Sequence, residues 1–278
     1  MLRTRVLTAL CLLAAFLAAL FLLPPAGWAL FALLVAAVAG WEWGGLMRCG
    51  GTARLLLGAG VVLLCGALMF AAPAAFGLAP GFPQAAPALA RWLHLPSIAF
   101  WLLVVPFWLR ARWALPSGLP GVLLGLLLIV PTWAAFVQLR QIGGGGLLAL
   151  MAVVWLADIA AYFAGRRFGR HKLAPAISPG KTWEGALGAV CAVLVYGFVL
   201  SPRLPDALTA NALLFAFGLV LLTAVSIVGD LFESLLKRQA GLKDSSNVLP
   251  GHGGVLDRID SLTSTLPLLC GGWLLLLS

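Results

Sequence analysis

The sequence predicts an all-α polytopic integral membrane protein of about nine transmembrane helices with its functional site at the cytoplasmic face, and two observations carry that expectation. Of its 278 residues, 62% are hydrophobic and only 10% are charged, and the mean hydropathy is +1.06. A soluble domain of this length cannot bury so much apolar surface. The apolar residues also fall in long uncharged runs of roughly 20 residues, the length a helix needs to cross the hydrocarbon core.

The first run, 7–23, follows Arg3 and Arg5 and stops at Pro24 and Pro25. It is long for the apolar region of a signal peptide, and a second run, 28–47, follows at once. The pair reads as a retained helical hairpin turned by the two prolines. Runs 55–76, 92–109 and 119–139 supply the third to fifth spans and complete segment 1–146. Segment 147–278 carries the sixth to ninth, at 147–164, 185–200, 212–236 and 262–277, within a single membrane domain. The fourth, seventh and ninth runs are short for a span. Cys11, Cys49, Cys65, Cys191 and Cys270 are odd in number and scattered, which indicates neither a disulfide framework nor a zinc site.

Basic residues orient the helices. All Lys and Arg except Arg91, Arg140 and Arg203 fall at the N-terminus or in the loops after the second, fourth, sixth and eighth spans. The positive-inside rule places those loops and the N-terminus in the cytoplasm and leaves Ser278 outside. The net charge of +9 then belongs to loops beside an anionic leaflet, so nucleic acid is not an expected partner.

Two loops hold more charge than orientation requires. After the sixth span come Asp158 and Tyr162, which share a helix face, then Arg166, Arg167, Arg170 and Lys172. An acid near the end of a span calls for a partner or a polar cavity. The run Ser178-Pro-Gly-Lys181-Thr182-Trp-Glu184 reads as a turn into the seventh span, with Ser178 or Thr182 as N-cap and free N–H groups that favour an anion. Gly180-Lys181-Thr182 is not a P-loop, because the motif's earlier Gly and its parallel-sheet context are both missing.

In the other loop, Ser226, Asp230, Ser234 and Lys237 form a polar stripe at helical spacing. Pro250-Gly-His252-Gly-Gly254 offers a backbone that can approach a ligand, and Asp257, Arg258 and Asp260 follow it. Asp257 and Asp260 share a face if their segment is helical. With Asp230 they can offer the oxygen ligands that a hard cation such as Mg²⁺ takes together with substrate phosphates. His252 is open between turn residue, phosphate donor and base contact.

The pattern Ser234-x-x-Lys237-Arg238, Lys243-Asp244, His252-Gly-Gly and Asp257-Arg258-x-Asp260 resembles the signature of the phosphatidate cytidylyltransferases, or CDP-diglyceride synthases. Residues 155–185 are similar to that family's other cytoplasmic segment, whereas the N-terminal half is similar only in being apolar. One departure is Ile159-Ala160, where the resemblance leads one to expect a small hydroxyl residue and then glycine; it bears on a polar contact from position 159 and not on the reaction.

The resemblance implies transfer of CMP from CTP to phosphatidate, giving CDP-diacylglycerol and pyrophosphate in phospholipid biosynthesis. It assigns Asp230, Asp257 and Asp260 to Mg²⁺, with a second cation left open. Lys237, Arg238, Lys243 and Arg258 are expected to neutralise phosphates in a catalytic set that also contains Asp244 and His252. Lys181 and Arg170 contribute from the first loop, and Ser178, Ser226 and Ser234 orient substrate. The expected partners are CTP, phosphatidate and the lipid bilayer, with homodimerisation open. The expected location is the inner membrane of a bacterial-type cell. An ion-coupled transporter fits less well, since the charges gather at one face and the signature is not repeated. A CDP-alcohol phosphotransferase needs an Asp-Gly motif with aspartates at longer spacing, which Asp257 and Asp260 do not supply.

Overall fold

The computed structural model describes the backbone of residues 2–277 and the side chains of 6–275. The side chains of Arg3 and Arg5, and Ser278, lie outside the described residues. The chain opens with α1 (Leu2–Leu22), α2 (Pro25–Leu46) and α3 (Gly51–Ala71). Pro25 stands at the first position of α2, where its missing N–H costs nothing. The expected hairpin is there. Arg140 clamps its far end, donating from Nε and Nη2 to Leu20 O at 3.1 and 2.9 Å and from Nη2 to Leu23 O at 2.6 Å. These bonds satisfy carbonyls that α1 leaves open at its C-terminus.

The fourth span is longer than the sequence suggests. It runs 30 residues, Phe82–Ala111, as α4 (Phe82–Ala99), a π-turn at Phe100–Val104 and α5 (Val105–Ala111). Pro106 cannot donate to the carbonyl one turn back, and the widened turn lies immediately before it. Rings of this turn and of α5 hold the helix carrying the second charged cluster. Phe232 meets Phe100, Trp101 and Trp108 edge-on, with centroids 5.8, 5.5 and 5.5 Å apart.

The remaining elements are α6 (Gly118–Gln138), α7 (Gly144–Phe168), β1 (Lys172–Ala174), β2 (Ser178–Thr182), α8 (Trp183–Leu200), α9 (Asp206–Thr209), α10 (Ala212–Ala240) and α11 (Leu256–Leu277). All nine expected spans are therefore helical, and among the described residues seven helices are long and apolar enough to cross a membrane. The other two are α1, whose apolar stretch Val6–Leu22 is shorter, and α11, which opens on Asp257, Arg258 and Asp260 and continues through Ser and Thr. Outward faces carry side chains that water would reject, among them Phe70 at 91% and Leu213 at 84% exposed. Such surface is stable against lipid and not against water.

Three local departures shape the site. Residues 172–182 form an antiparallel hairpin, pairing Lys172 with Thr182 and Ala174 with Ser178, in place of the expected simple turn. Helix α10 runs past the expected end at 236 and closes on Gly241 in the left-handed region (φ +75°). Leu242 N donates to Lys237 O at 2.8 Å and Gly241 N to Arg238 O at 3.1 Å, the paired bonds of a Schellman stop. Helix α11 starts before the expected 262, so Asp257 and Asp260 lie within its first turns. It crosses α10 closely at Gly229, where a Cβ would stand 2.5 Å from Ser264 Oγ and 2.9 Å from Asp260 O.

Candidate active site

The end of α7, the hairpin, the start of α8, the end of α10 and the start of α11 enclose a cleft of about 620 Å³. That volume suits a small-molecule ligand. Asp158, Tyr162 and Arg166 reach it from α7, Ser178 and Lys181 from β2, Asp230 and Lys237 from α10, and Asp257, Arg258 and Asp260 from α11. Asp244 borders it from the intervening loop. The two charged segments therefore meet in space.

Their junction is an ion pair. Lys181 Nζ lies 2.6 Å from Asp230 Oδ2, and Ser234 Oγ donates to Asp230 Oδ1 at 3.2 Å. Thr182 caps α8, its Oγ1 accepting from Gly185 N at 3.1 Å. Of the two residues offered as cap, Thr182 takes that place, while Ser178 lies in β2 facing the cleft. The cap fixes the strand-to-helix corner immediately after Lys181, which fixes the root of that side chain.

A second ion pair ties α10 to α11. Lys237 Nζ donates to Asp257 Oδ1 at 2.6 Å. It also lies 3.2 Å from Glu233 Oε1, but without hydrogen-bond geometry, since both Glu233 oxygens are buried with no hydrogen-bond partner. Asp257 is further held through Oδ2 by Ser245 N at 2.8 Å, Ser245 Oγ at 2.9 Å and Gly254 N at 2.8 Å. Its lone pairs are thus spent on protein donors.

Asp158, Asp230 and Asp260 lie within electrostatic reach of one another. Asp158 and Asp260 are in no ion pair among the described residues. Asp260 accepts Ser261 N at 2.7 Å through Oδ1. Three carboxylates facing one cleft with a single paired lysine leave negative charge that calls for a cation. Among the described residues no three His, Cys, Asp or Glu side chains are placed to hold a metal ion by themselves. Mg²⁺ commonly takes only one or two carboxylates and completes its shell with water and phosphate oxygens. Asp230 and Asp260 fit that mode, whereas the committed oxygens of Asp257 suit it less.

Other expected site residues stand apart from the cleft wall. Ser226 is 2% exposed against α11, its carbonyl accepting Ser261 Oγ at 3.2 Å. Arg170, Arg238 and Lys243 point to solvent. His252 sits in a tight turn, its N–H donating to Leu249 O at 2.8 Å while Leu249 N donates to Gly253 O at 2.9 Å, which favours the turn reading. Ile159 is 55% exposed on the outer face of α7, so the departure at that position lies away from the cleft. The residue that sequence reasoning passed over is Glu42 of α2, whose carboxylate binds the loop beneath the cleft. Its signal was a lone acid inside an apolar run.

The sequence matches the model of the Cytidylyltransferase family over residues 3–272. It is 41% identical to a Phosphatidate cytidylyltransferase of Pseudomonas aeruginosa, over 98% of this chain and 99% of that protein. It is 36% identical to one of Haemophilus influenzae, over 96% of each chain. A third, from Thermotoga maritima, is 41% identical over 46% of this chain and 48% of that protein.

Proposed function

The chain belongs to the cytidylyltransferase family, and from that premise we propose that this cleft is where CMP passes from CTP to phosphatidate, giving CDP-diacylglycerol and pyrophosphate. The protein is a multi-pass membrane nucleotidyltransferase. The observation that carries the assignment is the meeting of Lys181 with Asp230 at 2.6 Å, which brings both charged segments to one cavity at the end of the bundle.

The chemistry explains the inventory of side chains. The attacking phosphate oxygen is already ionised at neutral pH, so a strong general base is not needed. The obstacle is that two polyanions must approach each other. Unit charges about 4 Å apart repel by roughly 1 kcal/mol in water and roughly 4 at an effective dielectric of 20. Lys237, held by Asp257, presents a fixed ammonium to phosphate, and Lys181 presents another from the opposite wall. Arg258 and Arg166 line the same cleft and supply bidentate donors. Asp230 and Asp260, with Asp158 beside them, would hold Mg²⁺. When bound, that ion would polarise the α-phosphorus and offset charge on departing pyrophosphate.

The cleft faces the cytoplasm in this reading, and loop clustering supports it. Arg48, after α2, donates from Nη2 to Gln239 O at the end of α10. Gln239 Nε2 donates to Arg112 O and Trp113 O at 3.2 and 2.8 Å. The basic loops after α2, α5 and α10 therefore share the cleft end of the bundle, the side the positive-inside rule makes cytoplasmic. CTP is met there. The test is to incubate the purified protein in detergent with CTP, Mg²⁺ and phosphatidate and to isolate the lipid. Liponucleotide that forms only when phosphatidate is present supports the assignment, and CTP consumption without lipid product contradicts it.

A further inference from the structure

We infer that Glu42, a residue of the N-terminal half with no place in either charged segment, is a positioning residue for the cleft, acting through Ser245 and Asp257 on Lys237. The inference rests on the cleft being the site of transfer.

Glu42 lies between Trp41 and Trp43 in an otherwise uncharged helix and is 0% exposed. A carboxylate there is costly unless its lone pairs are filled, and four donors surround them, one of which is shared with Asp257. Oε1 accepts Ser246 Oγ at 2.6 Å and Val255 N at 2.9 Å. Oε2 accepts Leu256 N at 2.7 Å and Ser245 Oγ at 3.2 Å. Leu256 opens α11 and Val255 stands just before it, so their N–H groups are donors that the helix cannot satisfy internally. Glu42 caps α11 from another helix, and its negative charge opposes the positive end of that helix's dipole.

The same loop connects Glu42 to the cleft. Ser245 Oγ stands 3.2 Å from Glu42 Oε2 and 2.9 Å from Asp257 Oδ2. A hydroxyl has one proton, so it serves one carboxylate at a time. Ser245 N and Gly254 N also hold Asp257, and Asp257 holds Lys237. Glu42 and Asp257 thus share the Ser245 hydroxyl, and Asp257 in turn holds the ammonium of Lys237, so the loop between them is fixed from both sides by buried carboxylates. Asp257, Arg258 and Asp260 all sit in the first turns of α11, directly after the N–H groups that Glu42 fixes. The apolar half of the chain therefore helps set where the ammonium of Lys237 stands.

Glu42→Gln keeps size but replaces one accepting oxygen with an NH₂ group, leaving two of the four donors facing a donor. Per folded protein, turnover should fall about tenfold or more in the wild-type background. It should fall less than about threefold in a Lys237→Ala background, where the group that Glu42 positions is already gone. Trp43→Phe, which removes the bond from Trp43 Nε1 to Gly121 O, is the control on the same helix and should leave turnover unchanged. Ser246→Ala removes one donor from Glu42 without touching Asp257. It carries the same test, with a smaller loss, should Glu42→Gln not survive extraction. A Glu42→Gln loss of equal factor in both backgrounds, or no loss at all, overturns the positioning role. A wild-type protein that makes no liponucleotide instead overturns the reading of the cleft, so the two failures are told apart.

Discussion

Lys181 Nζ, on the strand before α8, stands 2.6 Å from Asp230 Oδ2 on α10, and this contact joins two charged segments that the sequence keeps well apart. Without Lys181, Asp230 faces Asp158 and Asp260 with no cation in contact. Lys181→Ala should lower kcat/KM by about 10- to 100-fold, while Lys181→Arg retains part of it. Unchanged turnover and unchanged KM for both substrates would make the hairpin a structural anchor only.

Asp257 and Asp260 should fail differently when neutralised. Asp260→Asn removes a carboxylate with an uncommitted oxygen, so the Mg²⁺ concentration for half-maximal activity should rise several-fold, by about the loss of one hard ligand. Asp257→Asn turns an NH₂ either toward Lys237 on one side or toward the Ser245 and Gly254 donors on the other, so turnover should fall by about 100-fold or more with little change in the Mg²⁺ midpoint. A Mg²⁺ titration of each variant decides this, and a large midpoint shift for Asp257→Asn would restore it to the metal ligands. Asp206→Asn, at the start of the short α9, should behave as wild type.

Much of the fold was legible because the bilayer imposes it. Uncharged runs located every long helix, and Pro24-Pro25 located the first turn. The ends were harder. Lys172 to Thr182 became a hairpin because those strands exist only through their pairing, which no local period reveals. The start of α11 lay hidden because its first residues are charged and its cap, Glu42, comes from a distant helix. In the candidate site, charge at membrane depth singled out Asp230, helical spacing added Lys237, and charge gathered in two loops singled out Lys181, Asp257 and Asp260, all of which line one cleft. Ser226 shares their helical spacing, yet it is buried where Ser261 of α11 bonds its carbonyl. Periodicity assigns a face to a residue but not the helix that face meets.

Packing between α10 and α11 should be intolerant of bulk at Gly229. A methyl group there would stand 2.5 Å from Ser264 Oγ and 2.9 Å from the carbonyl of Asp260. Gly229→Ala should cost about 1–3 kcal/mol of stability in detergent and displace the carboxylates of α11, with reduced turnover. Thermal unfolding at wild-type temperature would show that the crossing can relax.

Topology follows from the clustering of basic loops at the cleft end. With the exposed Cys11 and Cys191 and the half-buried Cys49 replaced, Val248→Cys should resist an impermeant thiol reagent in intact cells and react in inside-out vesicles. Leu208→Cys, in the short α9 at the other end, should do the opposite. The reverse pattern would put the cleft on the side without CTP.

The central claim is that one cleft moves the α-phosphoryl group of CTP, with its nucleoside, to a lipid phosphate. Two CTP samples, labelled at the α- and at the γ-phosphate, test it in parallel reactions with phosphatidate. The α label should enter the lipid fraction while the γ label leaves as pyrophosphate in equal amount, and Lys181→Ala and Asp257→Asn should depress both together. Appearance of the γ label in lipid, or of the α label as free CMP with none in lipid, would contradict the account.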